Sequence, residues 1–592
     1  MSTGISNKAW REVSDYESVK YILMTERQEK STLKETKTML TPKEFLKDVM
    51  IHSAFQDSII DWLKPWRMKT YVDILIVVDE EISITPTDSF GIASVIDLLR
   101  TTTVGCMHFR VDIALRNDFD EVFSVTANPL PTEPKYRGFR FNSIDNGTDV
   151  IDKYEQIWCF GFKPNNFGSN NDAEIDEPYA MPATNAELEK LDEWMTKRKG
   201  GLFGTGDHHF LGASMCRKIP RLGTMRRWTN ADGVPPQFGP DRIDTLRPPS
   251  PVDDYRAGGS RFLSNTPHQG DLTVQPIKWK RWCSIYWPFS FPKSRPHPVL
   301  CHPTLGPINV MPDHAHEGLC VPNPDLSATK QFNRELEYPD HIAGGNKPEP
   351  EIIAWGSNLD SDDWNFDIRK GEQPGRSRNP MIAVYDGHQA GVGRVATDST
   401  WHHWMDVNIN AIKAANNDDW KKISRYFINL AVWLNPPGFS TRCFYLSVVA
   451  SHFEYVGFQE YSPKASKLAL GHSLRTHLAF LYGPCWVTDI IWLLPLELNL
   501  FKPEELRKIA KRFSELEINP EYFEELVLGH MVEVTMAEAE SIKRRERKIQ
   551  PLAEPEKLFE KAFRQAVSSF NQEMEGKLKN EQEIIKNFKV NR

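Results

Sequence analysis

The first strongly patterned stretch is Val72 to Val78, VDILIVV, an almost unbroken apolar run. Such a run suits a β-strand covered on both faces. Phe90, Ile92, Val95, Ile96 and Leu99 follow at helical spacing, with Asp88 placed to cap the helix. Phe109, Val111, Ile113 and Leu115 alternate as in a second strand, and Tyr154 to Phe162 reads as a third. Thr184 followed by Glu187 forms a capping box, in which hydroxyl and carboxylate each satisfy an orphan backbone group of the first turn. Leu188, Leu191 and Met195 then give that helix one apolar face, and Gly200-Gly201 is placed to stop it. Leu202 to Thr205 is short and small enough for a buried central strand. Strands alternating with helices predict a flavodoxin-like, doubly wound, mostly parallel α/β sheet.

Downstream the periodicity fails over about 212–300, where Pro, Gly, Trp and Arg abound; a long irregular insertion is expected there. Order returns with an expected strand at Ile308 to Met311 and three more at Ile352 to Trp355, Met381 to Tyr385 and Gly393 to Thr397. Gly387 to Gly393 would form the turn between the last two, leaving Asp386 and His388 at the surface. From about Asp418 onward the chain reads as helix. Phe559, Phe563, Ala566 and Phe570 form a narrow seam suited to packing on another helix. The expected organisation is therefore an N-terminal helical arm (1–67), an α/β domain (68–415) and an α-helical C-terminal domain (416–592).

At 592 residues the chain is too long for one core. Its 72 basic and 80 acidic residues give a net charge of −8, which argues against a general nucleic-acid binder. Eight cysteines without a C-x-x-C pair suit reduced thiols in a cytoplasmic protein. The amino terminus lacks the apolar core of a signal peptide, and the apolar stretch from His477 to Leu500 is broken by Pro484, Asp489 and Pro495, so no membrane span is expected.

Three dense groups of histidine and carboxylate fall after expected strands. The first is Asp207, His208 and His209, directly beyond the central strand. The second is Asp313, His314, His316 and Glu317, in which the two histidines share one side of an extended segment, as a chelating pair requires. The third is the pair His402-His403, whose neighbours point to opposite sides. In open α/β sheets, ligands bind beyond the carboxyl ends of the strands, so these groups are expected to converge at one edge. The acid–base candidates are Asp207, His208, Asp313, His314, Glu317 and His402. The candidate ligands of a divalent metal are His209, His314, His316 and His403. Asp79, Glu80 and Glu81 are a weaker group at the end of the first strand. Arg217, Arg221, Arg226 and Arg227 open the insertion, either as a solvated basic loop or as an anion-binding surface.

Gly200-Gly201 with His208, His297-Pro298 leading to Asp313–Glu317, and Gly391-Val392-Gly393-Arg394-Val395 with His402 occur in an order that resembles the ThuA-like (trehalose-utilisation) branch of the class I glutamine-amidotransferase-like superfamily. The resemblance spans roughly residues 68–412. It implies the fold above and a loosely defined chemistry on sugar derivatives. Gly204-Thr205-Gly206-Asp207, at the nucleophile elbow of the amidotransferases, holds no cysteine, and Cys216 comes too late, which argues against glutaminase activity.

Two functions remain open from the sequence. One is a hydrolase or lyase acting on a small polar compound, carbohydrate-like or phosphorylated, through the His/carboxylate cluster. The other is a non-catalytic scaffold that forms a homo-oligomer or binds a partner protein through its helical C-terminus.

Overall fold

The computed structural model describes residues 70–78, 82–86, 88, 91–116, 121–161, 183–206, 213–228, 277–281, 294–312, 319–342, 344–357, 378–440, 443–444, 447–448, 466–497, 520–544 and 555–590. The expected N-terminal arm and the Asp79–Glu81 group therefore lie outside the described residues.

Five strands of the central sheet run parallel: β1 (Thr70–Val78), β2 (Met107–Leu115), β3 (Gln156–Gly161), β4 (Gly201–Gly206) and a later strand, Val395–Asp398. Two more, β5 (Glu351–Ser357) and β6 (Arg378–Tyr385), precede that later strand, which becomes β7. The spatial order is β5-β6-β7-β4-β3-β1-β2, and β6 is antiparallel to both β5 and β7. Two-residue strands at Tyr136–Arg137, Ser124–Val125 and Thr103–Val104 extend the β2 side. The sheet is thus mixed and mostly parallel.

Helices cover both faces. Leu75, Val77, Ile157 and Cys159 share a buried cluster with Leu188, Leu191, Trp194 and Met195 of α2 (Asn185–Lys197); α1 is Ala93–Thr101. On the opposite face Trp158, Phe160 and Phe203 meet Trp404, which also packs on Phe427. Phe427 belongs to α4 (Asp418–Trp433), which follows α3 (Asp406–Ala415). Gln156 Nε2 donates to the Ala431 carbonyl (2.6 Å) and to Asn435 Oδ1 (2.9 Å). The covering layer of the sheet therefore continues past residue 415 into α4.

Local signals explain part of this arrangement. The Thr184/Glu187 capping box is formed as expected. Helix α1 is not capped by Asp88. Its first backbone N–H groups, on Ala93 and Ser94, donate to the two carboxylate oxygens of Asp406 at 2.9 and 2.8 Å. A cap drawn from 313 residues away has no local trace. Gly200 and Gly201 do not supply the left-handed turn after α2; Lys199 does, at φ 54°. The glycines are needed for approach. A methyl on Gly201 would stand 2.1 Å from the Leu434 carbonyl oxygen, and one on Gly204 would stand 2.5 Å from a Leu222 methyl.

Three further expectations are corrected. Ile308 to Met311 is not a strand: Ile308, Val310 and Met311 are buried, but only Gly306–Pro307 pairs, with Cys301–His302. Burial of a four-residue run needs no ladder. His388 is buried, and Asp386 is held by Arg394 and Gln389, so that turn is not a free surface loop. The start of the expected insertion, 213–228, is folded onto the sheet, burying Cys216, Ile219, Leu222, Met225 and Trp228 in the α2-side cluster.

Beyond Asp398 every described element is helical. The remaining helices are α5 (Lys467–Tyr482), α6 (Pro484–Glu497), α7 (Pro520–Arg544) and α8 (Pro555–Val590). The Phe559, Phe563, Ala566 and Phe570 seam of α8 is buried within the chain, with Phe523 of α7 lying 5.4 Å from Phe563 and 5.9 Å from Phe570 between ring centres. No described helix is long and apolar enough to cross a membrane.

Candidate functional site

β7 lies parallel to β4 in a register that sets Val395 against Leu202 and Thr397 against Gly204. Both strands consequently end at the same edge. Side chains lock the two ends together: Thr397 Oγ1 donates to the Gly204 carbonyl (2.8 Å), and Thr205 Oγ1 donates to the Asp398 carbonyl (3.1 Å). Arg226 reaches across both, its Nη2 donating to the carbonyls of Gly206 (2.8 Å) and Ser399 (2.9 Å). The guanidinium lies over the Trp228 ring at 4.3 Å.

Just beyond β7 the chain turns sharply, and His403 folds back on Asp398. His403 Nδ1 is 2.8 Å from Asp398 Oδ2, and the Tyr426 hydroxyl donates to the same oxygen at 3.1 Å. The Thr400 N–H donates to Asp398 Oδ1 at 3.4 Å. Asp398 and His403 are fully buried. Burial, reinforced by the Asp398 charge, pushes the Tyr426 phenol well above its ordinary range, so it remains a neutral donor. The Asp398 carboxyl, as the hydrogen-bond partner of Nδ1, selects the tautomer that carries the proton there. Nε2 is then a lone-pair acceptor. Among the described residues neither Nε2 nor the nearby Ser399 Oγ has a hydrogen-bond partner. A carboxylate that orients an imidazole whose second nitrogen is unsatisfied is the arrangement general-base chemistry requires.

The expected site residues fall into three sets. His402 and His403 are at this edge. His403 faces Asp398, whereas the His402 ring stacks edge-on with Trp401 at 4.1 Å. Asp207, His208, His209, Asp313, His314, His316 and Glu317 lie outside the described residues. The four arginines divide. Arg221 is fully buried: its Nη2 donates to Asp192 (3.0 Å), its Nη1 to the Glu337 carbonyl (3.0 Å), and its N–H to the Glu337 carboxylate (2.7 Å). Arg226 is buried as the clamp described above. Both are therefore removed from any anion-binding surface, because their donors serve the fold. Arg217 and Arg227 are half-buried.

Asp398 and Tyr426 were missed by pattern reading. Asp398 had a signal, a carboxylate closing a short apolar strand five residues before His403. Tyr426 had none, because it sits in an ordinary helical stripe and only packing brings it to Asp398. Among the described residues no group of three or more His, Cys, Asp or Glu side chains is disposed to hold a metal. Of the expected metal ligands only His403 is described, and one of its nitrogens is taken by Asp398.

A cavity of about 830 Å³ opens at the opposite, amino-terminal edge, where Asp386, Gln389, Trp433, His297 and Trp355 line it. His297 accepts the Val299 N–H on Nδ1 (3.3 Å) and packs edge-on against Trp433 at 5.2 Å. The cavity is large enough for a small molecule, but Asp398 and His403 do not line it.

Comparison with family models, with curated proteins and with solved structures returned no match.

Proposed function

We propose that this chain is a cytoplasmic hydrolase or lyase of ThuA-like type, acting on a small polar, carbohydrate-like or phosphorylated compound at the carboxyl edge of the sheet. The observation that carries this reading is the buried Asp398–His403 pair at the shared ends of β4 and β7, with its imidazole Nε2 unsatisfied. His403 would take or give the proton, Asp398 would hold its tautomer, and Tyr426 would keep the carboxylate in place. The flavodoxin-like reading of the fold is supported by the order of the five parallel strands, which reads 2-1-3-4-5 in chain sequence across β2, β1, β3, β4 and β7. Asp207–His209 and Asp313–Glu317 remain the proposed companions of His403, and a divalent metal would be held by His209, His314 and His316. Cytoplasmic placement draws support from the seven described cysteines, all of them free thiols.

The test is a panel of sugars, sugar acids and sugar phosphates, screened by thermal shift and then by turnover. At least one class should stabilise the native chain and be converted. His403→Gln should lower the rate on that compound by about 10²–10⁴-fold while the melting profile stays native. If bound compounds are converted equally by His403→Gln, the proposal fails. If none binds and the protein forms a large assembly, the scaffold alternative takes over. The seam that first suggested that alternative is already covered within the chain, by Phe523.

A further inference from the structure

We infer that Ser569 is an acyl-accepting nucleophile for activated esters, with His530 as its base and Glu533 as the group that orients the base. The site shares no residue with the Asp398–His403 pair, and the inference is independent of the proposed reaction. Helices α5, α7 and α8 bring the residues together. Gly529 of α7 presses on the start of α5: a methyl there would stand 2.0 Å from the Lys467 carbonyl oxygen. The next residue, His530, has a side chain only 2% exposed. Phe523 of α7 packs against Phe563 and Phe570 of α8 and so fixes α8 alongside. Ser569, the neighbour of Phe570, is half-buried. His530 Nε2 is 2.9 Å from Ser569 Oγ, and His530 Nδ1 is 3.1 Å from Glu533 Oε2, one turn further along α7. Glu533 is in turn ion-paired with Lys467 at 3.0 Å.

The hydrogen bonds fix where the protons sit. Burial acts against the Glu533 charge, but Lys467 and His530 hold the carboxyl below its ordinary 4.5. An ionised Glu533 has no proton to give, so His530 Nδ1 carries one and donates it. Nε2 then holds a lone pair and accepts from the Ser569 hydroxyl. Burial and the Lys467 charge keep His530 below its ordinary 6.5 in spite of Glu533, so the imidazole is neutral and basic at pH 7. The groups that face it are Lys467, Glu533, Gln565 and Ser569. A hydroxyl bonded to a base that a third group orients is the arrangement of an activated nucleophile. Ser568 supplies the contrast: it is exposed, and it stands about 100° round the helix from Ser569.

What the helix withholds defines the acyl donor. Ser569 lies in the middle of α8, where backbone N–H groups are spent on the helical ladder and cannot form an oxyanion hole. Acyl transfer without that hole needs a carbonyl already activated by a good leaving group, which points to aryl esters and thioesters rather than amides or alkyl esters. In the step, Ser569 Oγ attacks the carbonyl carbon while its proton passes to His530 Nε2. The Oγ–carbon bond forms, the bond from that carbon to the leaving oxygen or sulfur breaks, and its electron pair departs with the leaving group. The proton then moves from Nε2 to the leaving group. The products are O-acylated Ser569 and a phenol or thiol.

The test treats the full chain with p-nitrophenyl acetate and follows acetylation of each serine by peptide mass spectrometry with fragmentation. In the native chain Ser569 should be acetylated about 10²–10⁴-fold faster than Ser568, although Ser568 is the more exposed. The Ser569 rate should stay level from pH 7 to pH 8, because its base is already neutral, whereas an unassisted hydroxyl gains about tenfold per pH unit. His530→Gln should bring Ser569 down to the Ser568 rate. Glu533→Gln, which offers Nδ1 an amide in place of a carboxylate, should slow Ser569 and leave Ser568 unchanged. The comparison of two adjacent serines in one chain needs no variant, so it holds even where a substitution disturbs folding. A native Ser569 rate within about tenfold of the Ser568 rate, or one that climbs with pH as the Ser568 rate does, would overturn the inference. So would a Ser569 rate that His530→Gln leaves unchanged.

Discussion

Replacing Glu187 with Gln should destabilise the protein by about 3–5 kcal/mol at neutral pH. Glu187 joins three parts of the structure. Its carboxylate is ion-paired with Arg116, accepting from Nη2 at 3.1 Å and also from Nη1; it accepts the Phe141 N–H at 3.1 Å; and it closes the capping box of α2 on the Thr184 N–H at 3.2 Å. Both members of the ion pair have side chains only 2% exposed. Gln retains the shape and most acceptors but removes the charge, leaving a buried guanidinium uncompensated. Arg140 worsens this, because Arg116 already acts on it as a like charge. Glu187→Ala should cost about 1 kcal/mol more, through the lost cap. Replacing both partners by Met should recover part of the loss, since the buried charge goes too; the orphaned Phe141 N–H keeps about 1–3 kcal/mol of it.

The pH dependence follows from the carboxyl's own shift. Burial pushes Glu187 up, but the charge and hydrogen bonds of Arg116, with those of Phe141 and Thr184, outweigh it and hold the group below its ordinary 4.5. A depressed carboxyl contributes stability that is present above the unfolded value and is lost as pH falls through the folded one. The difference between native and Glu187→Gln should thus be full at pH 7 and shrink on acidification below about 4.5. Urea unfolding followed by tryptophan fluorescence, across a pH series, reads both numbers. A loss under about 1 kcal/mol at pH 7, or a loss that does not change with pH, would refute the account of a charge-dependent buried pair.

Arg226→Met should cost about 2–5 kcal/mol, because it strips the donor from two buried carbonyls, those of Gly206 and Ser399. Thermal unfolding checks the cost; an unchanged transition would mean that the guanidinium does not hold β4 to β7. Gly201→Ala should destabilise by about 1–3 kcal/mol, since its methyl would meet the Leu434 carbonyl backbone and neither side can yield. Gly438→Ala, where a methyl meets nothing within 4 Å among the described residues, supplies the control and should be neutral or slightly stabilising in the same assay.

The parts of the fold that pattern reading recovered are those in which side-chain period and burial coincide. β1 is covered on both faces, and its apolar run shows it; β2 alternates more, and its exposure alternates with it. The parts it missed depend on distant chain. Asp406 caps α1 across most of the sequence, so the nearer Asp88 looked like the better cap. Gly200-Gly201 looked like a stop signal, whereas the reason for Gly201 is Leu434, far away in sequence but packed directly against it. The arginines of 217–227 looked like one basic surface because sequence shows charge but not counter-charge. Asp192, Glu337 and the ends of two strands absorb Arg221 and Arg226.

The candidate site shows the same division within five residues. His402 and His403 are indistinguishable in sequence, and both follow a short apolar strand. What separates them is a turn that stacks one ring on Trp401 and carries the other back to a carboxylate whose remaining contacts come from the Thr400 backbone and the Tyr426 hydroxyl. The carboxylate could be anticipated, because strands in open sheets deliver polar residues to their carboxyl ends. The phenol could not, because Tyr426 comes from a separate helix, and only tertiary packing brings its hydroxyl to Asp398. Parallel pairing of β7 with β4 sets Asp398 at the edge, and α4 covers it, so that the pair is fully buried. An Asp–His pair buried in this way gains strength from the low local dielectric, and the same burial makes an unsatisfied Nε2 costly to maintain. At the joint end of two central strands the carbonyls of Gly204, Gly206, Asp398 and Ser399 are held by Thr397, Arg226 and Thr205, whereas His403 Nε2, like Ser399 Oγ, has no partner among the described residues. That contrast, rather than the abundance of histidine, is the reason to direct the first substitutions at His403.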